Sequence, residues 1–473
     1  MFWCFRGKAN LRAIPQNSHI FRIFNHMNDT DIKYLEHKSL KDVPGFKSAI
    51  QLKIRNDKPV FIGLRDDALS VFTDEGKQYF YDLEGQPWRL STLNYTLQRG
   101  VSHYGLRLRK RPKERGGGYD RERLNDDELA DFCKELWQVG VDMLDAIERT
   151  PREKIKFTKP DYDTAILQIK PIVERIAGYS PDRIERERER FASVYQPVPV
   201  LPPDHYRAFV LQATEGCSFD TCAFCSLYKG IPFRVRSVDE FDEHIKRAIE
   251  FHGEALRQRS TIFLGQANAI SIPQHRLVAL MKRIPEHVVL PPDEERPVKP
   301  KWTRGKRLHF SGIGAFIDGF TGLKKTADDY RELWNLGLDR VYLGVESGSE
   351  EILEWIQKPA QPDQMLDTIE RLKEAGVATD IIMLLGVGGK TYEKAHIEMS
   401  LDFINRSALT KGDRVYLSEV VEYSDAPYYQ RMEHDRIERL SEDEMKKQLD
   451  VFKDAIKKRR LQPVPYRIDP FVY

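Results

Sequence analysis

The sequence predicts an α/β protein: a partial barrel of six βα units behind an N-terminal β-rich and helical extension. Three observations carry that expectation. From about residue 205 onward, apolar runs of strand length alternate six times with segments of helical period. Ahead of them, residues 31–120 hold short alternating stretches punctuated by turn residues. Between the two, residues 124–195 read as helices. The 473 residues leave room for two or three domains. The expected order is a flexible N-terminus at 1–30, a small β-rich domain at 31–120 and a helical linker region at 121–200. A barrel at 201–430 and a C-terminal helix and tail at 431–473 follow.

The first 28 residues lack acids and carry Arg6, Lys8, Arg12 and Arg22. That resembles a targeting segment in charge alone, with no apolar core or cleavage site behind it. A plain N-terminus, or translation from Met27 rather than Met1, is the preferred reading. Strands are expected at 49–56, 59–65, 69–73 and 78–83, with Asp57, Gly76 and Gly85 at turns. Residues 88–98 and 104–110 add further strands. A basic run follows, from Arg107 through Arg109, Lys110, Arg111 and Lys113 to Arg115, and ends in three glycines. It reads as a solvated strand end, with phosphate binding as the competing reading.

Residues 129–147 place apolar side chains at helical spacing, with Cys133 on the core face. The run RIERERER at 183–190 alternates charge and reads as an exposed helix. A proline-rich stretch at 197–204 leads into the barrel. Barrel strands are expected at 208–213, 261–265, 308–315, 340–345, 380–385 and 414–421. The helices between them belong outside a parallel sheet, because crossovers are right-handed. Six units without a seventh or eighth give an open, TIM-like (β/α)6 arrangement. A proline- and charge-rich insertion occupies 291–307.

Residues 211–230 read LQATEGCSFDTCAFCSLYKG and place Cys217, Cys222 and Cys225 in a C-x4-C-x2-C pattern after the first barrel strand. Three thiols are one short of a closed zinc site. They suit a four-iron, four-sulfur cluster with one iron open. Zinc with a fourth ligand such as His205 is the alternative. Cys4 and Cys133 are the two cysteines left over, so a disulfide framework is not expected and a reducing cytoplasm suits the chain. The net charge of +2 gives no argument for a nucleic-acid partner. No apolar run reaches the length of a membrane span.

Further motifs stand at the expected carboxyl ends of strands, where parallel α/β folds gather reactive groups. Gly265 and Gln266 end strand two, GVESG at 344–348 ends strand four, and GVGG at 386–389 ends strand five. With Phe224 just before the last cysteine, the set resembles the radical S-adenosylmethionine (SAM) superfamily over residues 205–430. The likeness is nearest to its oxygen-independent coproporphyrinogen oxidase and Elongator-like branch. The first cysteine gap is one residue longer than the family's commonest pattern, and Gln266 stands where the family often has an acid.

The resemblance implies cluster ligation by the three cysteines and SAM contacts from Phe224, Gly265, Gln266, Glu346, Ser347, Gly386 and Gly388. It implies that the open iron takes SAM's amino and carboxylate groups. One electron from the cluster then breaks a carbon–sulfur bond, and the adenosyl radical takes hydrogen from a small-molecule substrate. An external electron donor such as flavodoxin or ferredoxin is implied. Substrate-facing candidates at strand ends are His309, Asp318, Glu419 and Tyr423, with structural ion pairing or loop capping as their competing roles. An RNA-modifying radical enzyme and a non-catalytic zinc adaptor are the alternative functions.

Overall fold

The computed structural model describes residues 45–102, 104–110, 119–157, 161–290, 308–421, 426–466 and 473. The expected N-terminus at 1–30, the basic tip at 111–118, the insertion at 291–307, and Tyr423 lie outside them. The described residues fall into two units. One runs to Tyr195 and takes in Ile249–Gln258 and Tyr473; the other holds Gln196–Ala248 and the chain from Arg259 to residue 466.

The first unit is built on a nine-stranded antiparallel sheet, in the order β8-β7-β6-β5-β4-β3-β2-β1-β9. Strands β1 (Ser48–Ile54), β2 (Lys58–Leu64), β3 (Ala68–Thr73) and β4 (Gln78–Asp82) form where alternation predicted them. The stretch expected as one strand at 88–98 is instead two, β5 (Pro87–Ser91) and β6 (Thr96–Arg99). The Thr92 N–H donates to the Tyr95 carbonyl at 2.9 Å and turns the chain back between them. Strands β7 (Gly105–Lys110), β8 (Tyr119–Arg123) and β9 (Lys156–Phe157) complete the sheet.

The helices expected to link two domains pack on this sheet instead. Leu129, Phe132, Leu136 and Met143 of the helix Asp126–Arg149 join Ile50, Ile62, Val71 and Tyr81 in one core. The apolar stripe at helical spacing needs a partner surface, and the sheet face supplies it. Cys133 is 3% exposed in that core, and burial pushes its thiol up. The RIERERER helix is less exposed than its charges suggested. Glu187 is buried, and it accepts from Arg99 at 2.7 Å and from Gln86 at 2.6 Å.

The second unit is an all-parallel seven-stranded sheet, ordered β10-β13-β14-β15-β16-β17-β18. Its strands are β10 (Ala208–Gln212), β13 (Thr261–Gly265), β14 (Ile313–Asp318), β15 (Leu338–Glu346), β16 (Ala378–Leu385), β17 (Arg414–Glu419) and β18 (Gln462–Tyr466). The first six are the strands of the predicted open barrel. They are almost wholly buried, as strands covered on both faces must be, which is why they read as continuous apolar runs. The seventh was expected to be tail. Pro463 and Pro465 hid it, yet alternate residues of an edge strand need no ladder N–H.

Strand three also differs from expectation. It begins at Ile313, because Leu308 and Phe310 bond to Val289 instead. His309 therefore forms only an isolated bridge with Val289, ahead of the strand's amino end. That end of the sheet is filled by polar groups. Asp204 accepts from Tyr342 at 2.6 Å and Tyr416 at 2.8 Å, and is paired with Arg414. His205 bonds Thr261, the first residue of β13, at 3.0 Å. Among the described residues no helix is long and apolar enough to cross a membrane.

Candidate active site

The carboxyl ends of β10, β13, β14, β15, β16 and β17 carry the predicted site residues among those described, His309 excepted. β10 leads through a two-residue strand, β11 (Thr214–Glu215), into the cysteine loop, and β12 (Arg234–Val235) pairs antiparallel with β11 on the way out. This ribbon clamps the loop at its base, and Arg234 ties to Glu215 at 2.7 Å across it. The segment YKGIPFRVR at 228–236 thus supplies the returning strand.

The loop is held at its tip as well. The Ala223 N–H donates to the Ile356 carbonyl at 2.8 Å, and the Tyr428 N–H donates to the Ala223 carbonyl at 2.9 Å. Tyr428 also accepts, on its hydroxyl, the Gly388 N–H at 3.0 Å. One residue between the second and third cysteines is thereby pinned to two other barrel segments.

Gln266 fixes the loop's first residue. Its Oε1 accepts the Gly216 N–H, its Nε2 donates to the Pro197 carbonyl at 2.8 Å, and its own N–H donates to Thr214 Oγ1 at 2.9 Å. A carboxylate here could accept from Gly216 but could not donate to Pro197. The amide in place of the expected acid is therefore explained by the loop's attachment. Gln266→Glu should lower stability by about 1–3 kcal/mol through the unpaired carbonyl and weaken iron retention. Urea unfolding and iron analysis of the purified variant check this.

Cys217, Cys222 and Cys225 are free and half-buried. Burial pushes all three thiols up, Cys222 to about 11. They also feel one another: ionising Cys225 raises Cys217 and Cys222. Among the described residues no three His, Cys, Asp or Glu side chains are gathered to hold a single metal ion. Ligands of one ion crowd around a common point, whereas cluster thiolates bind different irons and stand further apart. Three neighbouring soft donors fit the cluster. His205 lies at the amino end of the sheet and does not complete a zinc site with them.

Glu346 ends β15 with a φ of +64°, and the register with β16 slips between Gly344 and Glu346. A left-handed conformation is costly for a non-glycine residue and collects at functional sites. Its Oε1 accepts from Lys358 Nζ at 2.9 Å, both side chains being nearly buried. A Cβ on Gly344 would stand 2.4 Å from that Oε1 and 3.0 Å from the Lys358 Nζ, so glycine is required for the pair to form. Burial opposes the Lys358 charge, but Glu346 and then Cys222 outweigh it and hold the ammonium up.

Lys358 has no signal in the sequence. It follows the short helix Glu350–Trp355 in a loop whose local sequence carries no motif, and only folding brings it beside the cysteines. Tyr428 and Asn268 are silent in sequence for the same reason.

Ser347 packs against the helix Gly389–Arg406. It is fully buried, bonded to His396 Nδ1 at 2.9 Å, and accepts the Ser349 N–H at 3.1 Å. The irregular backbone at Glu346 turns the next side chain into the helix Gly389–Arg406. Burial lowers His396 to about 4. An unfolded histidine titrates near 6.5, so between about pH 6.5 and 4 the unfolded chain binds the extra proton. His396 stabilises the fold above that window and loses its contribution as pH falls through it, at up to about 1.4 kcal/mol per pH unit. Urea unfolding at pH 7 and pH 5 should show a shallower loss in His396→Gln.

The other expected residues divide. Asp318 is the last residue of β14, and its Oδ1 accepts from Phe320 N at 3.1 Å, Thr321 N at 2.6 Å and Thr321 Oγ1 at 2.6 Å. It caps its own turn while standing near Lys358. Glu419 ends β17, at the same end of the sheet. His309 is at the opposite end. Gly386 and Gly388 both have a φ of +77°, and their N–H groups donate to Gln448 at 2.7 Å and to Tyr428 at 3.0 Å. Phe224 is half-buried in the cysteine loop.

Residues 211–404 match the family model of the Radical SAM superfamily. An uncharacterized methyltransferase of Pyrococcus horikoshii is 26% identical over 220 residues, which are 44% of this chain and 41% of that one. The chain thus spans about two-fifths of this relative's length. Among solved structures, the coproporphyrinogen III oxidase of Escherichia coli matches 57% of this chain and 55% of its own. Its identity is 13% and the TM-score 0.39. Streptococcus suis SuiB bound to S-adenosylmethionine matches 80% of this chain and 72% of its own, at 11% identity and a TM-score of 0.36.

Proposed function

We propose, from the match of residues 211–404 to the Radical SAM superfamily, that the chain uses a 4Fe–4S cluster to split SAM and take a hydrogen atom from a small-molecule substrate. Bound in the cysteine loop, the reduced cluster supplies the electron that breaks SAM's carbon–sulfur bond. Cys217, Cys222 and Cys225 are its ligands. Glu346 accepts the two ribose hydroxyls, the backbone at Gly265 and Gln266 meets the methionyl end, and the turn at Gly386 and Gly388 lies against the adenine.

The observation that carries this reading is Glu346. Its strained backbone, its buried pairing with Lys358 and its electrostatic reach to Cys222 and Cys225 join the nucleoside side of the site to the cluster side. Asp318 and Glu419 stand at the substrate-facing end of the sheet. The electron donor is a flavodoxin or ferredoxin, and the compartment is the reducing cytoplasm.

The test is anaerobic reconstitution with iron and sulfide, followed by dithionite and SAM. The expected product is 5′-deoxyadenosine; a fully loaded cluster that yields none overturns the reading. The likeness to a methyltransferase favours methyl transfer as a second reading. Methyl-labelled SAM decides between them, since label passes to a third molecule only in the second.

A further inference from the structure

Asn268 sits just past the end of β13 and is 3% exposed. Its Nδ2 faces three acceptors: Asp318 Oδ2, Thr321 Oγ1 at 3.2 Å and Ser218 Oγ at 3.4 Å. The Thr321 hydroxyl gives its own hydrogen to Asp318 Oδ1, so its oxygen is left to accept from the amide. These contacts fix which way the amide points. The other atom, Oδ1, is buried and has no hydrogen-bond partner among the described residues.

A buried carbonyl oxygen without a donor costs free energy and is uncommon in folded proteins. It marks a place where a donor from outside the chain belongs. Ser218, which the amide contacts, is the residue after Cys217, so the orphan atom belongs to the cluster's surroundings.

With SAM as the ligand of this site, the proposed function on which this step rests, three sets of N–H or O–H donors enter: the ribose hydroxyls, the adenine amine and the methionyl amino group. The ribose falls to Glu346 at the end of β15, and the adenine to the turn after β16. The amino group remains. The side chain expected near it, Gln266, has both of its polar atoms committed to Gly216 and Pro197.

We infer that Asn268 Oδ1 accepts a hydrogen bond from the methionyl amino group of SAM, taking the side-chain role two residues beyond the position that the motif at Gly265 and Gln266 suggested. The carboxylate of Asp318, bonded to the same amide, adds negative charge on that side. Lys358, which holds two more N–H groups than its bond to Glu346 uses, adds a positive charge near Asp318. An amino-acid zwitterion is matched by that pair of charges.

The experiment uses the anaerobically reconstituted full chain and three non-reacting probes, with binding measured by calorimetry. S-adenosylhomocysteine carries the amino group; its analogue with hydrogen in place of the α-amino group does not; 5′-methylthioadenosine lacks the whole amino-acid end. Asn268→Ala should weaken S-adenosylhomocysteine by about 10- to 100-fold, the worth of a hydrogen bond to a charged group. The other two probes should bind as they do to the unaltered chain.

Equal losses for all three probes mean that the substitution disturbed the fold of the site, and no loss means that the oxygen serves no ligand; either result overturns the inference. Asn268→Ser, a shorter side chain, is read by the same ratios where the alanine variant does not fold. Failure of the proposed function itself looks different. In that case 5′-methylthioadenosine does not bind the unaltered chain, or binds it with an affinity that Glu346→Gln leaves unchanged.

Discussion

Replacing Cys222 with alanine is expected to remove the iron and the SAM-cleaving activity together. Cys222 is the middle cysteine of a loop fixed at its base by Gln266 and the β11–β12 ribbon, and near its tip by Ala223. No neighbouring side chain can replace the lost sulfur, since among the described residues Cys133 is the fourth free cysteine and it lies in the core of the other unit. Burial holds the Cys222 thiol up at about 11, with Lys358 pulling against it, so the loop is a poor home for a bare thiolate and a good one for a thiolate neutralised by iron. Groups that only orient a ligand are worth about 10- to 100-fold in metal affinity. Loss of the ligand itself should exceed that. Iron and sulfide analysis, with 5′-deoxyadenosine measured in the same preparation, reads the effect. Cys133→Ala is the control that keeps both. A Cys222→Ala protein that retains iron and product refutes the assignment.

Glu346→Gln should cost about 3–5 kcal/mol of stability, because it strands the Lys358 ammonium in a nearly closed site. The glutamine keeps the shape and one acceptor but removes the compensating charge. Lys358 is raised in the folded protein, so its contribution is complete below the unfolded lysine value near 10.4 and fades only above it. The deficit should therefore be the same at pH 6 and pH 8. Removing both charges, with Glu346→Gln and Lys358→Met together, should recover much of the stability, since a buried pair is often replaceable by apolar packing. The double variant should still bind 5′-methylthioadenosine poorly, because the ribose has lost its carboxylate. Urea unfolding separates the two effects from the binding measurement. A Glu346→Gln protein as stable as the unaltered chain would show that Lys358 finds compensation elsewhere.

Much of the architecture can be read in the residues. Parallel strands buried on both faces appear as apolar runs such as AFVLQ at 208–212, and six of the seven barrel strands announce themselves that way. The seventh does not, because an edge strand tolerates Pro463 and Pro465 and so looks like a tail. Strand three starts at Ile313 rather than at Leu308, and His309 falls outside it. Apolar residues flank Gly312 on both sides, and only the pairing partners, Val289 for one side and β13 for the other, tell them apart. The helices at 126–194 show their stripe in sequence, but the stripe does not say which surface it covers.

The candidate site divides along the same line. Cys217, Cys222 and Cys225 lie within nine positions, so the expectation of a thiolate-held cluster after the first barrel strand rests on local spacing that the chain by itself determined. Asn268 and Lys358 lie on two different loops and Tyr428 on the helix Pro427–His434, and each looks ordinary in its own neighbourhood. Their meeting at the carboxyl ends of the strands depends on the sheet's register, as does the turning of Ser347 toward the helix Gly389–Arg406 and of Glu346 toward Lys358. Local spacing fixes only what lies within one loop of chain; contact between distant residues is decided by packing, through strand pairing and burial that no short stretch of sequence contains.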